Sequence, residues 1–235
     1  MHKHDTPCSK PTAAFILHQL GIGAYNRKKI EVALRFMSMA CAQPEAPAQC
    51  HRNHAEMLHR CGQLDEAEAA ARLAIQRDSD CADAWDTLGT ILVDRGALAE
   101  SRDCYQMAVQ IKPDFLAALN NLAVVLHNLG QLDASEACYR RALNLQPDSL
   151  EILLNFANLL RELKRYCDAL EVAERVLDCC PKNSELRRVA LKFKRNLEKA
   201  ASGRTKVGRI LHVAPEQRGN KTRWANILTQ ARRSN

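Results

Sequence analysis

Residues of one size recur along this chain every 34 positions. Frames set at 14–47, 48–81, 82–115, 116–149 and 150–183 align without a gap. The eighth column holds Gly21, Ala55, Gly89, Ala123 and Ala157. The twentieth holds Ala33, Ala67, Ser101, Ser135 and Ala169, and the twenty-seventh Ala40, Ala74, Ala108, Ala142 and Val176. The seventeenth column is large and apolar instead: Ile30, Leu64, Leu98, Leu132 and Tyr166. Such a period constrains the fold more tightly than composition does. One unit is too short to bury its own apolar face, so stacked copies must share a continuous core.

Within a unit the pattern predicts two helices. Small residues in three fixed columns let antiparallel helices approach closely. Gly62, Gly96 and Gly130 fall between two apolar runs, where a left-handed residue ends the first helix. Pro113, Pro147 and Pro181 close three units and stop the second helix. Asp65 with Glu68, and Asp133 with Glu136, are expected to form capping boxes at the start of second helices. Asp80, Asp114 and Asp148 are expected to cap the first helices that follow.

One unit carries Trp85, Leu88, Gly89, Tyr105, Ala108 and Pro113 on this helix–turn–helix period, which resembles the tetratricopeptide repeat. The resemblance runs through all five units. It implies an all-α fold, a right-handed solenoid of antiparallel helix pairs. The unit 14–47 departs most, with Lys28 at the glycine column and Pro44 and Pro47 displaced, as in a degenerate or capping repeat. Residues 1–13 read as a polar N-terminal segment. Residues 184–200 read as a terminal capping helix, with Leu186, Val189, Ala190, Phe193 and Leu197 on one face and Lys/Arg opposite.

In tetratricopeptide superhelices the first helix of each pair lines a concave groove that takes ligands, and the resemblance carries that expectation here. The sixth column, expected to face the groove, reads Gln19, Asn53, Thr87, Asn121 and Asn155, with Asn120, Asn128 and Asn158 nearby. An amide donates and accepts at once, so a row of them suits a peptide backbone. The row is similar to the asparagine ladder in the repeat domain of O-linked N-acetylglucosamine transferases. Charged candidates are Arg52 and Arg60 from the second unit, Asp86 and Asp94, with Asp83, from the third, and Glu151 and Glu162 from the fifth. Mixed signs along a groove orient an extended peptide rather than grip a polyanion. The basic-and-amide clamp by which chaperone-tail-binding members of the family hold a terminal carboxylate has no matching set of residues here. A solvated helix face is the competing reading for any single charge.

No catalytic pattern stands out. Gly-x-Ser-x-Gly, P-loop, His-Glu-x-x-His and paired-Cys zinc spacings do not occur, and Gly21-Ile-Gly23 lies inside a helical unit. Cys50, His51, His54, His59 and Cys61 crowd one helix, but His51 and His54 fall in columns held elsewhere by Trp85, Leu88, Leu119 and Leu122. Packed, hydrogen-bonded imidazoles are expected there rather than metal ligands. Thus neither a catalytic residue, a metal, a cofactor nor a small-molecule substrate is expected. The ten cysteines lack any Cys-x-x-Cys pair or secretion signal, which points to reduced thiols in the cytoplasm, most of them acting as small hydrophobes in helices. No apolar stretch reaches membrane-spanning length.

The net charge of +7 is unevenly placed: 20 basic and 24 acidic residues through residue 183, against 14 and 3 beyond it. Residues 201–235 break the period and form a basic tail. There Trp224, Ile227, Leu228 and Ala231 have helical spacing, with Arg218, Lys221, Arg223, Trp224, Arg232 and Arg233 as contact candidates. A short strand over Val207–Val213, a solvated extension or the start of a further domain are the other readings of this segment. Three functions follow. The leading one is a non-enzymatic adaptor for protein or peptide partners. A second is the repeat portion of a larger glycosyltransferase-like enzyme. The third, disfavoured because one Trp makes no stacking platform, is nucleic-acid or anionic-surface binding through the tail.

Overall fold

A computed structural model describes residues 12–203. Among these residues are eleven α-helices and no strand. They are α1 (Ala13–Asn26), α2 (Ile30–Cys41), α3 (Ala48–Arg60), α4 (Leu64–Arg77), α5 (Ala82–Asp94), α6 (Leu98–Ile111), α7 (Leu116–Asn128), α8 (Leu132–Leu145), α9 (Leu150–Glu162), α10 (Tyr166–Cys179) and α11 (Glu185–Ala201). Every second helix of a pair starts on the seventeenth column, at Ile30, Leu64, Leu98, Leu132 and Tyr166. The chain divides into two compact bodies, one through Arg95 and one from Gly96, so the unit 82–115 gives α5 to one and α6 to the other. The segment 201–235, with all six tail candidates, lies outside the described residues apart from its first three positions.

In the first body α1 pairs with α2 and α3 with α4, and α5 packs on both α3 and α4. The small columns explain the approach. Ala33, Ala40, Ala55, Ala67 and Ala74 are wholly buried, and a Cβ added at Gly21 would meet Met37 at 3.1 Å. Met37, Met57, Ala24 and Ala33 form a cluster to which Ile22, Tyr25 and Leu34 add their flanks. The first helix of the pair ends in a left-handed residue each time: Gly62 at φ 79° and, where the sequence departs from glycine, Lys28 at φ 59°. Ion pairs then tie one layer to the next, as Arg95 meets both Asp65 and Glu68.

In the second body α6 packs on α7, α7 pairs with α8, α9 with α10, and α11 covers α10. Its core is richer in leucine: Leu119, Leu153, Leu154, Leu159 and Leu160 are essentially fully buried, each contributing about 2 kcal/mol of apolar burial. Tyr139 sits among them, its ring 6.0 Å from that of Phe156, and burial pushes its hydroxyl pKa far up. Ser135, also wholly buried, donates its hydroxyl to the Ala123 carbonyl at 2.7 Å, which lets a polar atom occupy a small column without penalty. Arg141 and Arg175, 34 residues apart, each donate to the carbonyl of a proline 28 residues earlier, Pro113 and Pro147. The prolines that stop one repeat's second helix thus hold the next repeat's second helix in place. In α11, Ser184 caps the start by accepting from Arg187 N, and Leu186, Ala190 and Leu197 turn inward.

Several local expectations are corrected. Asp65 and Asp133 do not cap: α4 and α8 begin one residue earlier, so these carboxylates already lie inside the first turn and no side chain caps either helix. Their partners in the expected boxes are engaged elsewhere, Glu68 with Arg72 and Arg95, Glu136 with Arg140 and Arg165. First-turn acids still favour the helix dipole. Asp80, Asp114 and Asp148 likewise make no cap, since the cap positions of α5, α7 and α9 fall on Cys81, Phe115 and Ser149. Of the nine described cysteines, only Cys50, Cys104 and Cys180 are buried, while Cys61 and Cys167 are exposed.

Candidate peptide-binding face

The polar residues of the first helices are placed by the same repeat that buries their apolar neighbours. On α3 the buried stripe is Cys50, His51, Ala55, Met57 and Leu58, which leaves Arg52, Asn53, Glu56 and His59 half-buried on the next face round. On α5 the corresponding residues are Asp86, Thr87 and Thr90, all half-buried, with Asp83 and Asp94 exposed. The first body therefore places Arg52 and Asp86 at the same column of α3 and α5.

Much of this face is internally bonded. Asn53 donates Nδ2 to His18 Nε2 at 2.8 Å, and burial with the nearby Arg52 charge lowers the His18 pKa, which keeps that ring nitrogen an acceptor. Arg60 reaches the Tyr25 hydroxyl at 3.0 Å and Glu56 at 2.6 Å, its guanidinium 5.8 Å from the Tyr25 ring centroid. Arg52 pairs with Glu56 at 3.7 Å. His59 Nε2 stands 2.5 Å from Asp94 Oδ2. Thr87 and Thr90 turn their hydroxyls back to the carbonyls of Asp83 and Asp86 in their own helix.

In the second body the expected amides separate into two kinds. Asn120 and Asn155 are buried, at 8% and 7% exposure. Asn155 donates to Asn120 Oδ1 at 3.3 Å, and Asn120 donates to Glu151 at 3.2 Å. Asn121, Asn128 and Asn158 are half-buried, and Asn158 returns a bond to the Leu154 carbonyl. His127 meets Glu162 at 2.7 Å.

Five of these contacts share an offset of 35 residues, one more than the period: His18 with Asn53, Tyr25 with Arg60, His59 with Asp94, Asn120 with Asn155, His127 with Glu162. Each joins column five to six, or twelve to thirteen, of the following unit. Reading columns singly misses it; reading each column against its successor in the next unit would have found it.

Among the described residues no three His, Cys, Asp or Glu side chains converge as metal ligands would. Burial lowers the pKa of His51 and His54, with Arg77 adding to the first and His51 to the second, and pushes the neighbouring Cys41 thiol up to about 12. The expectation that His51 is hydrogen-bonded fails at one atom: its buried Nε2 has no partner.

Comparison with known proteins places this arrangement in a class. Tetratricopeptide-repeat family models match residues 114–182 and 89–130. Those segments carry tetratricopeptide repeats, and the fold is that of the tetratricopeptide solenoids. Among solved structures, PilF of Pseudomonas aeruginosa is similar at 21% identity and a TM-score of 0.66, over 81% of this chain and 88% of that one. YrrB, described as having an unusual peptide-binding site, is similar at 19% identity and 0.64, over 77% and 92%. MamA follows at 12% identity and 0.64, over 84% and 98%. At such identities the likeness is one of fold. No curated protein sequence matches the chain significantly.

Proposed function

We propose that this chain is a non-enzymatic scaffold that holds an extended peptide segment of a protein partner against the polar face of its first helices, in the cytoplasm. The observation that carries this reading is the half-buried polar row on α3 and α5. Arg52, Asn53, Asp86 and Thr87 stand at equivalent columns of successive helices, partly open and of alternating sign. A peptide laid across that row exchanges solvent for amides, hydroxyls and charges already fixed in position, so little side-chain entropy is lost on binding. The bonds within the row support this: Asn53, Arg60 and Arg52 are oriented before any ligand arrives. YrrB offers a precedent of fold for a peptide site. In the second body, taken by itself, the half-buried Asn121, Asn128 and Asn158 are the proposed contacts, whereas Asn120 and Asn155 fix α7 to α9.

The test is selection from a displayed peptide library against the full chain, followed by titration of the selected peptides. Variants Asn53→Ala with Thr87→Ala, and Asp86→Lys, are expected to weaken binding roughly ten-fold, as the loss of about 1.4 kcal/mol would. Selected peptides that bind all variants equally, or that lose binding only when 201–235 is removed, would count against the face and in favour of the tail.

A further inference from the structure

The helix α11 continues the register of the repeats and then departs from it on one side. Counted on from residue 184, its third and seventh columns are Leu186 and Ala190. Both are buried, as Ala84, Ala118 and Ile152 are in the third column and Leu88, Leu122 and Phe156 in the seventh. The eighth column differs. In the repeats it is small and buried against the unit's own second helix: a Cβ at Gly21 would meet Met37, and the Ala123 carbonyl takes the Ser135 hydroxyl. In α11 the eighth column is Leu191, and it is 38% exposed.

Leu191 stands in a row of cations. Arg188, Lys192, Arg195 and Lys199 are exposed at i, i+4, i+7 and i+11, along one helical face about 16 Å long. With Leu191 and Asn196 they line an open groove of about 480 Å³. Arg188 pairs with Glu185; off the row, Arg187 donates to the Leu177 carbonyl and Lys194 meets Glu174 at 2.8 Å. Lys192, Arg195 and Lys199 meet no carboxylate among the described residues. The ends of the chain are poor in acids too. Residues 1–11 hold Asp5 against Lys3 and Lys10, and residues 204–235 hold Glu216 against eight Lys and Arg.

We propose that this face of α11 docks an acidic helix of a partner protein, with carboxylates on Lys192, Arg195 and Lys199 and an apolar side chain on Leu191. Charge complementarity selects the sign of the partner, because three cations in a row repel a basic surface and attract an acidic one. The segment 204–235 has the same sign as the row, which disfavours it as the occupant. The spacing selects a helix: carboxylates at i, i+3 and i+7 of one helix stand as far apart as Lys192, Arg195 and Lys199 do on the other. Leu191 and the stems of the Lys and Arg side chains give the groove an apolar floor, which a packed helix covers. Nucleic acid fits less well, since the one aromatic ring of α11, Phe193, is half-buried and outside the groove, where no base can stack on it.

The probe is a labelled helical peptide that presents three glutamates at i, i+3 and i+7 beside a leucine, titrated against the full chain by fluorescence anisotropy. Its control is a scrambled peptide of equal composition, with the glutamates spread around the helix. The patterned peptide is expected to bind about five-fold tighter than the scrambled one. Lys192→Glu with Arg195→Glu should abolish that preference at unchanged helix content and thermal midpoint. The milder Lys192→Gln should weaken the patterned peptide about three-fold, as loss of one exposed ion pair would, and guards against misfolding of the double change. Equal binding of the two peptides by the full chain overturns the proposal. So does a preference that both variants keep, or tighter binding of a single-stranded oligonucleotide or of phosphatidylserine vesicles to the same row. Removal of 204–235 is expected to leave the preference unchanged. A preference that appears only after removal makes the tail the occupant, and one lost with the tail makes the tail the binder; either result overturns the proposal.

Discussion

Asn155 donates its side-chain amide to Asn120 across 3.3 Å, and both side chains are buried where α9 crosses α7. The pair sits in the columns that, read singly, suggest a ligand-facing ladder. Its bonds fix one repeat to the next instead. Asn155→Ala is therefore expected to destabilise the fold by about 1–3 kcal/mol, because Asn120 Oδ1 loses its donor in a buried place. Asn128→Ala, at a half-buried site of the same face, should leave the urea midpoint within about 0.5 kcal/mol of the parent. Equal losses in the two variants would remove the distinction drawn between them.

The helical register was legible in the sequence because it rests on packing. Ala33, Ala67 and Ala169 allow no larger neighbour spacing, and the five second helices start on the column that the 34-residue period marks. Cap chemistry was not legible to the same degree. Asp65 sits one residue inside α4, and a shift of one position turns a cap into an ion-pair partner for Arg95. The polar face was half legible: Asn53 and Asn155 share a column, yet one is half-buried and the other buried. Each bonds to the residue one column earlier in the preceding unit, His18 in one case and Asn120 in the other.

Lys28 and Lys164 take the left-handed conformation that Gly62, Gly96 and Gly130 take in the other units. An L side chain there is strained, whereas glycine is not, although glycine also loses more entropy on folding. Lys164→Gly is expected to raise stability by up to about 1 kcal/mol, and Gly130→Ala to lower it by about 1–2 kcal/mol. Chemical denaturation of both variants checks the pair of signs. A destabilised Lys164→Gly would show that the lysine side chain contributes more than its backbone costs.

His18, His51 and His54 have folded pKa values below the usual 6.5, each mainly because burial disfavours the imidazolium. The unfolded chain thus binds more protons than the folded one as pH falls through that value. Stability is fully present above it and is lost below it, toward the depressed folded values. Denaturation midpoints should fall between about pH 7.5 and 5.5, by at most about 1.4 kcal/mol per pH unit for each proton and by less at the partly exposed His54. His51→Leu removes both the titrating ring and its unpartnered Nε2. It should flatten the pH profile and leave stability at neutral pH equal or higher. A profile as steep as the parent's would clear His51 of the effect.

Glu136 joins two repeats: its carboxylate takes Arg140 within α8 and Arg165 at the head of α10, the latter at 2.8 Å through both oxygens. Burial alone would raise its pKa, but the two guanidiniums outweigh burial and hold it below the usual carboxylate value. Glu136 is the more enclosed partner, and Arg165 is the more exposed. Removing the carboxylate should therefore cost more than removing the arginine. Glu136→Ala leaves two cations without their shared acceptor and is expected to lose about 1–2 kcal/mol, against under about 1 kcal/mol for Arg165→Ala. In the double variant the losses should fall short of additive, since both single changes delete the same bond. The cost of Glu136→Ala should also shrink as pH drops through the carboxylate range, where protonation abolishes the pair in the parent too. Strict additivity across the cycle would mean that the two side chains act independently, and that the repeats are joined there by packing alone.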